Sequence, residues 1–88
     1  MDEEEFRKKA QAEGYSEPDI HEVEHTPAKE MHTHDQTILS LVLSGEFTMF
    51  YEQKSKSYGP GDWCVNPAGT RHTEQIGPDG VIALVAKK

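Results

Sequence analysis

The chain has 88 residues, the size of one small domain, and a formal charge of −7 at pH 7. The acidic balance argues against nucleic acid as a partner, and the lack of any long apolar run argues against a membrane span. A single cysteine, Cys64, permits no internal disulfide, so we expect a soluble protein of the cytoplasm. A core this small gives modest stability, which a bound metal ion or a second subunit would increase.

The first fourteen residues predict a short helical extension, and residues 15–88 predict the domain itself. Acidic residues occupy the first turn of the segment Asp2–Gly14, basic residues follow, and the final glycine suits a helix end. About three turns of helix are marginally stable alone in water. We therefore expect this helix to dock on the domain through Phe6.

The next segment, Asp19–His25, predicts an irregular edge strand. Its apolar residues Ile20 and Val23 are three positions apart, so they would face opposite sides of a regular strand. We interpret the two histidines of this segment, His21 and His25, as surface residues. A proline-containing turn follows and interrupts any regular pairing. We therefore predict no catalytic or metal-binding residue in this segment.

From residue 31 onward the sequence predicts short strands separated by turns rich in glycine and proline. The predicted strands cover residues 37–43, 47–52, 63–65, 71–76 and 81–86. The predicted turns fall at residues 45–46, 59–62, 66–69 and 77–80, and residues 53–57 predict a polar hairpin loop. This pattern is typical of an all-β sandwich or barrel.

Two histidines, His32 and His34, precede the longest apolar run of the chain. Residues i and i+2 of a strand face the same side, so both rings can point at one place. A pair with this spacing is either half of a metal site or the polar end of a strand. A third histidine, His72, opens a later strand, and an antiparallel barrel could bring its ring opposite the pair.

The apolar run itself has two faces. If it continues unbroken from the two histidines, the residues that line the barrel interior are Ile38, Ser40 and Val42. The opposite face then carries leucines at positions 39, 41 and 43, which need a cover. The N-terminal helix is one candidate and a second subunit is another. We predict a homodimer that uses this leucine surface.

These residues resemble the two signature motifs of the cupin superfamily. Gly61, Pro67–Gly69 and His72 match the second motif as far as its histidine. His32–His34 and Gly45 match most of the first motif, and fifteen residues separate the motifs, as in the shortest cupins. The resemblance covers roughly residues 20–85, and two motifs at the right separation make it specific.

The resemblance implies an all-β double-stranded β-helix, or jelly-roll cupin barrel, over residues 15–88, preceded by the short α-helix. It also implies a divalent transition metal bound inside the barrel by His32, His34 and His72. Neutral imidazole suits zinc, iron, nickel, manganese or copper, so the ligands do not identify the metal.

Three positions depart from the family pattern. Thr26 stands where the first motif has its leading glycine, and Ile76 where the second motif has its closing asparagine. The third concerns a metal ligand. Many cupins have a fourth ligand, Glu or Gln, four residues after the second histidine, and this chain has Ile38 there. Two nearby polar residues could take its place: Gln36, which would face the same side of a strand as His34, and Glu74, which would face the same side as His72. Of the two we predict Gln36 as the substitute ligand or as a supporting group.

Four residues are predicted to line the pocket, namely Ile38, Ser40, Glu74 and Ile76. With isoleucine at two of these positions, the pocket favours a small, partly apolar ligand. We interpret Cys64 as a buried apolar residue rather than a nucleophile.

Two classes of function remain open at the level of sequence. As an enzyme, the protein would use its metal for dioxygenase-like or isomerase-like chemistry, or for hydrolysis. As a binding module, it would be a small-molecule sensor or storage barrel, and a metal-free sensor without catalysis is the alternative. The sequence names no catalytic residue.

Overall fold

A computed structural model describes all 88 residues, which form one helix and five strands. The elements are α1 (Glu3–Ala12), β1 (Asp19–Val23), β2 (Ile38–Phe50), β3 (Ser55–Tyr58), β4 (Trp63–Asn66) and β5 (Thr73–Lys87). All strand pairs are antiparallel. The fold is therefore of the predicted class, all-β with a short N-terminal helix.

The strands form one sheet in the order β1-β5-β2-β3, and β4 also pairs with β2. The first half of β2 lies between β4 and β5, and its second half lies between β3 and β5. No strand pair joins β1 to β3 or β4, so the barrel is open along these edges. An open barrel leaves its inner face accessible from one side.

Two of the predicted turns are bulges inside long strands. Residues 45–46 belong to β2 and residues 77–80 belong to β5, and the register of this pair shifts between Gly45 and Phe47. Gly45 and Gly80 have φ angles of 77° and 74°, a region that favours glycine. The glycines therefore bend the two strands together without reversing them, since pairing along their full length outweighs a local turn.

We expect Gly45→Ala to lower the free energy of unfolding by about 2–3 kcal/mol, because a non-glycine residue is strained at this φ. An added Cβ would also overlap the carbonyl oxygen of Gly80 on the neighbouring strand. Urea titration of both proteins measures the difference. Gly59→Ala is the matched control, since a Cβ there meets no atom within 4 Å. Equal stability of the two variants would contradict this account.

The helix begins after a capping residue and ends near its predicted glycine. The side chain of Asp2 accepts a hydrogen bond of 2.8 Å from the backbone N–H of Glu5. Gly14 follows the helix with a φ of 81°. At ten residues, this helix is too short to cross a membrane.

The helix covers one face of the sheet, as predicted. Phe6 has no exposed surface, and it belongs to an outer core cluster composed of Phe6, Ala10, Leu39, Leu41, Leu84 and Ala86. Helix and sheet thus share one core. Of the three leucines proposed for a homodimer, only Leu43 is exposed, at 36%. The helix therefore covers most of the leucine surface. The homodimer itself remains a prediction.

The opposite face of the sheet carries an inner core cluster composed of Val42, Phe47, Met49, Tyr58, Cys64, Ile76 and Val81. Ile38 and Ser40 lie on this side and line a cavity beside the cluster. The alternation of β2 into an outer leucine face and an inner face is therefore as the sequence predicted.

Residues 24–37 connect β1 to β2 as an irregular segment held against the start of β5. Isolated antiparallel pairs join Thr26 to Ile76 and His32 to His72. The condition that the strand continue unbroken from the two histidines is not met, because a bend at residues 35–36 separates His34 from β2. The predicted edge strand ends at Val23, two residues before its expected limit.

Candidate metal centre

Two of the three motif histidines face each other across a backbone pair. The N–H of His32 donates to the carbonyl of His72 at 2.8 Å, and the N–H of His72 donates to the carbonyl of His32 at 3.0 Å. Directly opposed residues of an antiparallel pair project to the same side. The two ring centroids are therefore only 4.6 Å apart.

The third histidine completes a triangle. The centroid of His34 lies 5.1 Å from that of His32 and 5.0 Å from that of His72. The backbone N–H of Gly69 donates to the carbonyl of His34 at 2.9 Å, which ties the first motif to the glycine turn of the second. One nitrogen of each ring lies within 4.8 Å of the other two. The structure thus brings all three predicted histidines together.

Backbone carbonyls select the tautomer of two rings. The Nδ1 of His72 lies 2.8 Å from the carbonyl oxygen of Thr70, and the Nδ1 of His32 lies 3.2 Å from that of Glu30. A carbonyl only accepts hydrogen bonds, so each Nδ1 carries the proton. The Nε2 lone pair of each ring is then available to a ligand.

The His34 ring has no hydrogen-bond partner within the chain. Burial, and then the neighbouring rings of His72 and His32, lower the pKa of His34 below its ordinary value of 6.5. His34 is therefore neutral at pH 7. A neutral ring offers the lone pair that a metal ion requires.

Glu74 lies beside the histidines. Its Oε2 is 3.6 Å from the Nε2 of His72 and 3.7 Å from the Nε2 of His32. These distances exceed those of a hydrogen bond. Oε2 is buried and has no hydrogen-bond partner.

Asn66 is a site residue that the sequence analysis missed, because it was interpreted only as part of a turn. It is the last residue of β4 and is 3% exposed. Its Nδ2 lies 3.2 Å from Nδ1 and 3.3 Å from Nε2 of His72, and its Oδ1 is buried without a partner. No spacing signal could have found it, since its place follows from the pairing of β4 with β2.

A cavity of about 150 Å³ opens beside the histidine triangle on the inner face of the sheet. The four predicted pocket residues, Ile38, Ser40, Glu74 and Ile76, all line it. His21, interpreted from the sequence as a surface histidine, is exposed and also lines the cavity. A groove of about 460 Å³ beside α1 is larger, but only one apolar residue lines it and it contains no histidine.

Gln36 does not line the cavity. It lies exposed in the bend at residues 35–36. Gln36 and His34 are two residues apart and would face the same side of a regular strand. The bend removes this relation. The structure therefore gives no support to Gln36 as a ligand, which remains a prediction from the sequence.

Cys64 lies in β4 with 7% of its surface exposed and lines the cavity. Burial raises the pKa of the Cys64 thiol to about 11. The thiol is therefore protonated at neutral pH and is a poor nucleophile. This agrees with the interpretation of Cys64 as a buried apolar residue.

Comparison with known proteins bears on the fold. No protein-family model matches the chain, and no curated protein matches its sequence. The chain is similar to a solved cupin-2 domain containing protein from Shewanella frigidimarina, with a TM-score of 0.63 and 19% identity over 75% of this chain and 64% of that one. It is similar to the EutQ protein of Clostridium difficile, with a TM-score of 0.70 and 14% identity over 89% of this chain and 60% of that one.

The DMSP lyase DddQ from Ruegeria pomeroyi is also similar, with a TM-score of 0.66 and 23% identity over 78% of this chain and 36% of that one. The chain thus spans between 36% and 64% of the length of these three structures. At these identities the similarity establishes the fold alone. The protein has the fold of the cupin superfamily, as its two motifs predicted.

The residues present fit a divalent transition metal. Four groups adjoin one another: two Nε2 atoms with free lone pairs, a third neutral ring and an unpartnered carboxylate oxygen. Ligand bonds of about 2.1 Å place neighbouring donors about 3.0–3.4 Å apart. The nitrogens of the cluster are up to 4.8 Å apart. Metal binding therefore requires the longest of these separations to shorten by about 1.4–1.8 Å.

Proposed function

We propose that this protein binds one divalent transition metal ion through His32, His34 and His72, and binds a small, partly apolar molecule in the adjoining cavity. The observation that carries the proposal is the triangle of imidazole rings, with centroids 4.6–5.1 Å apart. Carbonyl groups hold two of these rings in the tautomer that leaves Nε2 free. The acidic charge of the chain also favours a cation.

The size of the cavity limits its ligand. A volume of about 150 Å³ is smaller than that of most ligand pockets and corresponds to about five water molecules. Ile38, Met49 and Ile76 supply apolar walls, and Ser40 and Asn66 supply polar atoms. A molecule with a short apolar body and one polar end fits this lining.

A bound metal would supply Lewis-acid or redox chemistry to a molecule held beside it. One of the similar structures is named as a lyase, but its 23% identity carries no activity over to this chain. We therefore propose metal-dependent binding or transformation of a small molecule and assign no reaction.

A metal-free sensor is the second candidate, and one contact favours it. The Nδ2 of Asn66 lies 3.3 Å from the Nε2 of His72, so this amide can donate to the lone pair that a metal would otherwise take. In that case the histidines would bind the small molecule directly.

Elemental analysis separates the two candidates. Protein reconstituted with zinc, iron, nickel or manganese and then desalted is expected to retain about one metal ion per chain for at least one of these metals. His34→Ala and His72→Ala are expected to retain less than about a tenth of that, since each removes one of three ligands. His25→Ala, which removes a histidine outside the cluster, is the matched control. Wild type without any metal after reconstitution would overturn the metal proposal.

A further inference from the structure

One carboxylate oxygen of the centre is satisfied by nothing in the chain. Oε2 of Glu74 is buried and has no hydrogen-bond partner, although the side chain as a whole is 38% exposed. A side chain with this access to solvent could turn both oxygens outward. A buried carboxylate oxygen without a partner is unfavourable, so its inward position calls for a positively charged group.

The surroundings of that oxygen indicate which group. Oε2 lies almost equally far from the Nε2 atoms of His72 and His32, at 3.6 and 3.7 Å. A direct hydrogen bond to either ring is too long at these distances. The separations do come within a few tenths of an ångström of the spacing of about 3.0–3.4 Å between donors that share one metal ion.

A backbone pair holds this arrangement. Glu74 follows His72 by two positions and lies on the same side of the chain. His32, in the irregular segment before β2, exchanges two backbone hydrogen bonds with His72, just before β5. The three groups therefore meet through this pair.

We propose that Glu74 is the fourth protein ligand of the metal centre and coordinates through Oε2. This inference rests on the proposed function. Three neutral imidazoles leave a divalent ion its full charge, and one carboxylate reduces that charge by one beside a largely apolar cavity. The carboxylate thus lowers the cost of burying the ion. A hard oxygen donor also favours zinc, iron or manganese over cuprous copper.

Cobalt(II) is the probe for this inference, because its visible absorption reports its ligands. Metal-free wild type, Glu74→Gln and the control Glu22→Gln are titrated with cobalt(II). Glu22 is an exposed carboxylate on β1, outside the histidine cluster. We expect Glu74→Gln to bind cobalt about 100-fold more weakly, with a changed absorption spectrum, and Glu22→Gln to behave as wild type.

The stability of the metal-free proteins provides a second readout. If Glu74 is a ligand, replacing it removes an unpartnered charge, so metal-free Glu74→Gln is expected to melt at the same temperature as wild type or higher. If Glu74 instead supports the fold, the metal-free variant melts lower and keeps the wild-type spectrum, which would overturn the inference.

Failure of the proposed function and failure of the role of Glu74 give different results. Wild type that binds neither cobalt nor any of zinc, iron, nickel and manganese overturns the proposed function and this inference with it. Wild type and Glu74→Gln that bind with equal affinity and identical spectra, while His72→Ala binds none, overturn the role of Glu74 alone.

Discussion

Zinc added to the metal-free protein is expected to raise its melting temperature by about 10–20 °C when the free ion exceeds its Kd about 100-fold. Binding at that excess adds about 2.7 kcal/mol to the stability of the folded state. In a domain of this size each kcal/mol corresponds to about 4–8 °C. The effect is specific to the folded chain, because only folding brings His72 to the pair His32 and His34. Circular dichroism melts with and without zinc measure it.

Histidine variants test whether the zinc-dependent shift comes from the cluster. His72→Ala is expected to lose nearly the whole shift, and His25→Ala is expected to keep it. Excess chelator should return the wild-type melting temperature to its metal-free value. A shift of equal size in wild type and His72→Ala would mean that zinc binds elsewhere on the chain.

Phe6→Ala is expected to lower the free energy of unfolding by about 3–5 kcal/mol, the cost of truncating a fully buried aromatic side chain. Phe6 has no exposed surface and joins α1 to Leu41 and Leu84 of the sheet. Domains of this size are stable by about 5–15 kcal/mol in total, so the variant would lie close to unfolding. Urea titration monitored by circular dichroism measures the loss.

Lys8→Ala is the control for the helix, because Lys8 is 75% exposed and pairs only with Glu4 on the surface. Its expected effect is below about 0.5 kcal/mol. The loss of stability in Phe6→Leu should lie between the losses in Lys8→Ala and Phe6→Ala. If Phe6→Ala were as stable as Lys8→Ala, α1 would not be docked as described.

The pairing of His32 with His34 and the two faces of β2 could be predicted from the sequence because each depends on short spacings. His32 and His34 are two residues apart, and the alternation of leucines with Ile38 and Ser40 needs only a period of two. The motif that ends in His72 supplied the single long-range contact, through a resemblance rather than through the physics of the chain.

The remaining features depend on strand register, which a single sequence does not reveal. Asn66 adjoins His72 because β4 pairs with β2, and the bend after His34 moves Gln36 away from the cavity. Gly45 indicates a change of direction equally well for a hairpin turn and for a bulge. Only the long pairing of β2 with β5 decides in favour of the bulge.

The central place of β5 in the sheet has a consequence for folding kinetics. It is the last strand in the sequence, yet it lies between β1 and β2, and Asp19 pairs with Val85. Contacts between residues so distant in the chain form slowly, so folding is expected in milliseconds to seconds rather than microseconds. The three histidines also meet only when the start of β5 has joined the sheet. Metal capture is therefore a late step, and added metal should slow unfolding far more than it speeds folding.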